Sequence, residues 1–192
     1  MIKVLLDECG REPHRSPPTD EKGTTPLHLA TAGKLDRMVG ILLKSNADVD
    51  KQDREGTTAL HLATLSGSDH IVDILLKSNA DVEMENGEGW TALHTAAMLG
   101  HDHIVDILLK SNAGVDSQVS RLNEDEDEEE WEWEDEGWEE QQGGETALHL
   151  ASWLGHDGVV EIFLEAKADV ARGMHLGGQH CIMLHALAIV AW

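Results

Sequence analysis

The sequence predicts an all-α fold in which short helix-turn-helix units stack side by side into a solenoid. The first observation is an eight-residue string, GTTPLHLA at 23–30, which returns in near-identical form at 56–63 and 89–96, each time 33 residues on. The second is a companion string, ILLKSNADV at 41–49, which recurs with the same period. A fixed period of this length is typical of repeat architectures.

The second copy shows how each unit is built. Thr58 precedes the first helix, which carries Leu60 and Ala63 on one face. Gly67 supplies a break with positive φ, and Asp69 falls in the first turn of a second helix, where its charge suits the helix dipole. The apolar stripe of that second helix consists of Ile71, Val72, Leu75 and Leu76. Neither helix buries its stripe alone, so we expect adjacent copies to stack.

The fourth copy, GETALHLA at 144–151, comes 55 residues after the third, which is one period plus 22. The extra residues include the run 124–140, which holds 13 acidic residues and three tryptophans. The chain has a formal charge of −23, and −10 remains without this run. So dense a set of carboxylates predicts a disordered insertion.

These strings resemble the signature of the ankyrin-repeat family, which is Thr-Pro-Leu-His, a glycine between two helices, and Ala-Asp-Val before a hairpin. The resemblance covers about residues 23–170 without the insertion. It implies paired antiparallel helices joined by β-hairpin fingers, curved so that fingers and first helices line a concave face. It also implies that one histidine per repeat hydrogen-bonds locally and ties neighbouring hairpins together; these are His28, His61, His94 and His149.

The resulting domain organisation has seven segments. Four full repeats are expected at 23–55, 56–88, 89–118 and 144–176, with the acidic, Trp-rich insertion at 119–143. Residues 1–22 match a second helix followed by a long Pro-containing finger, and residues 177–192 match a degenerate or truncated fifth repeat. Both ends therefore suggest a fragment of a longer array.

Composition limits the classes of partner and the cellular compartment that we expect. The negative charge repels phosphate backbones and anionic membrane surfaces, so nucleic acid is not an expected partner. The apolar C-terminus is about half the length that spans a bilayer, and no secretory segment precedes the repeats. Cys9 and Cys181 read as free thiols, which indicates an intracellular protein of the cytoplasm, the nucleus or both. Nothing indicates a homo-oligomer.

The histidines do not form a catalytic or metal-binding pattern. A residue repeated once per structural unit serves the unit, and the pair His101 and His103 lies at the start of a second helix. No HExxH, Gly-rich phosphate loop, CxxC pair or GxSxG elbow is present in the sequence. We therefore expect no catalytic residue, no metal site and no cofactor.

The residues that end the first helices vary between copies and, by the resemblance, face the concave groove. They grow in size and apolarity, from Ala32 and Gly33 in the first copy to Trp and Leu in the fourth. Trp and Met are enriched at interface centres. The expected partner-contact patch consists of Trp90, on the adjacent finger, with Met98, Leu99, Trp153 and Leu154. The alternative is that these side chains only pack against the next repeat.

The insertion also allows two interpretations. It is either a solvated low-complexity expansion or a mispredicted exon, or it presents a linear motif through Trp131, Trp133 and Trp138, each beside Glu or Asp. The stretch 131–135 resembles the tryptophan-acidic motifs that kinesin light chains bind, and also acidic-aromatic activation segments.

Three functions follow from the sequence. The first is a non-catalytic scaffold or adaptor that binds a protein through the concave groove. The second keeps the fold but makes it a rigid holder for the Trp-acidic motif. The third is a regulatory segment of a larger enzyme or channel.

Overall fold

Eight α-helices occur in the part of the chain that the computed structural model describes, which is residue 20, residues 22–120 and residues 144–170. They form four consecutive pairs. The first helices are α1 (Pro26–Ala32), α3 (Ala59–Leu65), α5 (Ala92–Leu99) and α7 (Ala147–Leu154). The second helices are α2 (Asp36–Lys44), α4 (Asp69–Lys77), α6 (Asp102–Lys110) and α8 (Asp157–Glu165).

The first helices share one N-terminal arrangement, in which threonine is the N-cap and histidine the third helical residue. In α1 the backbone N–H of Thr25 donates to Nδ1 of His28 at 3.0 Å, and the N–H of His28 donates to Oγ1 of Thr25 at 3.3 Å. This reciprocal capping box satisfies N–H groups that a helix leaves unpaired at its start. The same box begins α3, α5 and α7.

The second helices begin after a tight turn. Gly67, which precedes α4, has φ +64°, so the predicted positive-φ break is confirmed. Asp69 lies in the first turn of α4 and Lys77 in its last turn, and both charges suit the helix dipole.

The pairs stack in chain order, because each first helix contacts the next first helix and each second helix contacts the next second helix. A single cluster of buried apolar side chains runs through all four described repeats. Alanine recurs at one buried position of the first helices, at Ala30, Ala63, Ala96 and Ala151. Small residues there let the helices approach closely. The predicted all-α solenoid is thus confirmed.

The fingers differ from the predicted β-hairpins. Within the described residues they contain no strand, and the isolated bridge between Gln118 and Thr146 is the one β-type pairing. In the first finger Oδ1 of Asp53 accepts the backbone N–H groups of Glu55 and Thr57, each at 2.9 Å. This side-chain closure makes a turn of five residues, which is too short to build a ladder.

The two ends of the insertion meet at its base. The N–H of Gly144 donates to the carbonyl of Val119 at 3.1 Å, and the N–H of Val119 donates to the carbonyl of Glu145 at 2.9 Å. The insertion between residues 121 and 143 lies outside the described residues. So do residues 1–19, with most of the predicted N-terminal partial repeat, and residues 171–192, with the predicted fifth repeat. Among the described helices, none has the length and hydrophobicity of a membrane-spanning segment.

Candidate protein-interaction surface

Three buried histidines link neighbouring repeats. In each, Nε2 lies within hydrogen-bonding distance of a backbone carbonyl in the finger that leads to the following repeat. The pairs are His28 with Thr57 at 3.0 Å, His61 with Trp90 at 3.0 Å, and His94 with Ser117 at 2.9 Å. Each imidazole therefore joins its own helix cap to the next finger.

These contacts hold the rings of His61 and His94 in one neutral tautomer. Nδ1 of His61 and of His94 accepts a backbone N–H, so the proton of each ring is on Nε2. Burial lowers the pKa of His61 and His94 below the ordinary value of 6.5, although the carbonyls at Nε2 act in the opposite direction. Because both ring nitrogens are engaged, neither histidine offers a free lone pair to a metal or a substrate.

His149 has the same cap but no second contact. Its Nδ1 accepts the N–H of Thr146 at 3.1 Å, whereas its Nε2 is buried without a partner among the described residues. Burial lowers the pKa of His149, and the nearby Glu145 acts in the opposite direction. The finger that would follow this repeat lies beyond residue 170, outside the described part. The ring thus resembles the other three rather than a separate site.

Exposed apolar side chains gather at the ends of the first helices. Trp153 is 81% exposed, Leu154 52% and Leu99 36%, and Met98 is half-buried. These four residues end α5 and α7, which pack against each other. Leu65, at the end of α3, is 58% exposed. Helix α5 packs between α3 and α7, so the three helix ends are neighbours. We call these five residues the apolar row.

Leu65 is absent from the patch predicted from sequence, which was confined to the third and fourth copies. Its register is the signal that identifies it, because it occupies the same repeat position as Met98 and Trp153. The structure extends the candidate surface to repeat two.

Trp90 lies apart from the apolar row. It precedes the N-cap of α5, whereas Met98 and Leu99 end that helix, and eight residues at 1.5 Å each make a separation of about 12 Å. Its half-buried ring makes an edge contact with His94, with ring centroids 6.4 Å apart and planes inclined at 65°. The structure thus separates Trp90 from the residues beside which the sequence placed it.

The turns next to the apolar row contain histidines that pack on the preceding repeat. Nε2 of His156 lies 2.9 Å from the carbonyl oxygen of Met98, and the His156 ring covers Gly100. The ring of His101 covers Gly67 in the same way. Among the described residues no group of three or more His, Cys, Asp or Glu side chains is arranged to hold a metal ion.

The second predicted site falls outside this surface. Trp131, Trp133 and Trp138 belong to the insertion, and all three lie outside the described residues. Their use as a linear motif therefore stays a prediction.

Comparison with protein-family models identifies the family to which the repeat belongs. The ankyrin-repeat model matches the chain three times, over residues 1–86, 32–121 and 78–173. A comparison with curated proteins finds no match. The family matches span nearly the whole chain, and they coincide with the stacked helix pairs and the repeated Thr-His caps. The chain belongs to the ankyrin-repeat family.

Proposed function

We propose that this chain is a non-catalytic scaffold that binds a protein partner through the face formed by its first helices and fingers. Ankyrin repeats are generally modules for protein–protein interaction. The observation that carries the proposal is the apolar row, whose most exposed member, Trp153, is 81% exposed. Large apolar patches on a protein surface mark interaction sites.

Stacking of repeats does not account for the row. Leu65 has a neighbouring first helix on each side, since α3 contacts both α1 and α5. It nevertheless stays 58% exposed. An interior repeat therefore leaves this position open to solvent, which favours a partner over the next repeat as the group that covers it.

The dimensions of the row suit a specific interface. Packed helices lie 8–10 Å apart, so three stacked helix ends extend over roughly 20 Å. A stable interface buries about 800 Å² on each side. Buried tryptophan anchors each contribute on the order of 2 kcal/mol or more to binding. Trp153 and Leu99 are accordingly the residues whose truncation should weaken binding most.

Affinity capture with matched variants tests the proposal. The full chain would be compared with Leu99→Ala/Trp153→Ala, which truncates the row, and with Leu35→Ala/Ile41→Ala. The control pair truncates two side chains of repeat one. Leu35, which precedes α2, is 49% exposed, and Ile41, on α2, is 43% exposed. Thermal unfolding of each variant verifies that the fold is retained.

We expect at least one protein to be captured by the full chain and the control variant but lost from the row variant. A chain lacking residues 121–143 tests the alternative function, in which the insertion presents a Trp-acidic motif. Partners that depend on the insertion would be lost from that chain alone. Capture that is unchanged by truncation of the row would overturn the proposal.

A further inference from the structure

Within the described stretches 56–120 and 144–170 the basic residues all lie on the side formed by the second helices, although Lys34 of repeat one donates to the carbonyl of Ser66, next to Leu65. The basic residues of these stretches are Lys77, Lys110 and Lys167. Lys77 and Lys110 end second helices and pair there with Asp73 and Asp106 at 2.6 and 2.5 Å, and Lys167 follows α8. The first helices and fingers in these stretches therefore carry no lysine or arginine.

Acidic side chains lie at both ends of the first helices, at the fingers and at the turns next to the apolar row. The finger before α5 carries Glu83, Glu85 and Glu88, and the turns beside the row lead into Asp69 and Asp102; all five are exposed. The contacts of the finger carboxylates are to neutral donors. Glu83 accepts the N–H of Gly114 at 2.7 Å, and Glu85 accepts the hydroxyl of Ser120 at 2.7 Å. Neither contact is to a basic side chain.

The distance between the two acidic borders is close to the width of a helix. The fingers and the turns lie at opposite ends of the first helices, and α5 has eight residues, which is a length of about 12 Å. An α-helix with its side chains is about 10–12 Å wide. Along the stack the row extends for roughly 20 Å, which a helix of about 13 residues would cover.

We propose that this face binds a cationic amphipathic helix of the partner protein. Its apolar stripe covers the apolar row, and its lysines and arginines face the acidic fingers on one side and the turn aspartates on the other. This inference rests on the proposed function and names the chemistry of the partner. A second copy of this chain is a poor occupant, because each copy carries a formal charge of −23, and an anionic membrane is repelled for the same reason.

A defined peptide tests this chemistry directly. The probe is a 14-residue fluorescein-labelled peptide of leucine and lysine, with leucines spaced to form one helical face. One control peptide has the same composition in an order that forms no such face, and another has glutamate in place of each lysine. Fluorescence anisotropy with the full chain gives the dissociation constant of each peptide at low and moderate salt.

Two pairs of substitutions separate local from general charge effects. Asp69→Asn/Glu88→Gln removes one charge from each acidic border of the face, whereas Glu161→Gln/Glu165→Gln removes two exposed charges from α8. Both variants change the net charge equally. We expect the first pair to weaken binding of the lysine peptide about fivefold to tenfold, and the second to change it less than twofold. Leu99→Ala/Trp153→Ala should weaken it at least tenfold.

Three outcomes would overturn the inference. The first is that the glutamate peptide or the faceless peptide binds as well as the lysine peptide. The second is that both pairs of charge substitutions weaken binding of the lysine peptide equally. The third is that neither these pairs nor truncation of the row changes its binding, as expected if the acidic insertion captured the probe. If any of these occurs while partner capture still depends on the row, the proposed function stands and only the cationic helix is wrong.

Discussion

Replacing Gly100 by alanine measures how closely repeats three and four are joined beside the apolar row. Gly100 ends α5 with φ +69°, and an added Cβ would lie 2.6 Å from Nδ1 of His156. Gly155 has the equivalent position in repeat four, with φ +75°, but its added Cβ would meet no described atom within 4 Å. The two substitutions therefore share the backbone strain, and Gly100→Ala alone adds a collision.

The expected magnitudes follow from these contacts. A non-glycine residue in the left-handed region costs about 1 kcal/mol, and Lys34, with φ 52°, shows that the chain tolerates this strain at the equivalent turn of repeat one. Gly155→Ala should thus lower the free energy of unfolding by about 1 kcal/mol. Gly100→Ala should lower it by about 2–3 kcal/mol, because displacing His156 also breaks its hydrogen bond to Met98 and disturbs packing.

Urea unfolding followed by circular dichroism provides the assay, with His156→Ala and Gly100→Ala/His156→Ala completing a double-mutant cycle. Once the ring is removed, Gly100→Ala should cost only about 1 kcal/mol, as at Gly155. Equal destabilisation by Gly100→Ala and Gly155→Ala in the wild-type background would refute the reasoning. So would a cost at Gly100 that does not change when the His156 ring is absent.

Three further predictions concern pH, the insertion and a buried hydroxyl. Burial lowers the pKa of His61, His94 and His149 below 6.5, so the unfolded chain binds protons first as the pH falls. Stability should be complete above pH 6.5 and decline below it; urea midpoints that do not change between pH 7.5 and 5.5 would contradict this, and His94→Gln should flatten the decline. Replacing residues 121–143 by a four-residue turn should preserve the fold and raise the free energy of unfolding by up to about 1.5 kcal/mol, since the loop ends already meet; a lower midpoint would show that the insertion itself supports the array. Thr64→Val should raise the free energy of unfolding by about 1 kcal/mol, since its buried hydroxyl has no partner in the described part of the chain; a loss of stability would indicate an internal water there.

The register of the repeat made the helices predictable. Because Thr58, Gly67 and Asp69 recur with the same spacing in other copies, their roles as cap, break and dipole partner could be inferred without coordinates, and the structure has them in those places. These roles depend on neighbours within a few residues in sequence. Sequence periodicity identifies local patterns of this kind.

Contacts between repeats were less predictable. The sequence offered no sign that the His156 ring covers Gly100, because the two residues are brought together by stacking across the insertion. Trp90 was placed beside the row because its finger was expected to adjoin the helix ends, yet its position before the cap of α5 puts it at the opposite end of that helix. Exposure of Leu65 likewise depends on how closely neighbouring helices approach. Such properties follow from tertiary packing rather than from spacing.

Differences between the repeats distinguish the positions that are needed for core packing from the exposed positions that are free to vary. Helices α4 and α6 have the same nine residues, DHIVDILLK, and their buried positions, such as Ile71 and Ile104, tolerate little change because a cavity in a core costs about 1 kcal/mol or more. Packing imposes no such demand at the exposed ends of the first helices, where a polar residue would be the neutral choice. Leu65, Met98 and Trp153 are nevertheless apolar there, and they differ in size from repeat to repeat. A side chain that is apolar without being needed for the core, and shaped differently in each copy, fits the proposed recognition of one asymmetric partner.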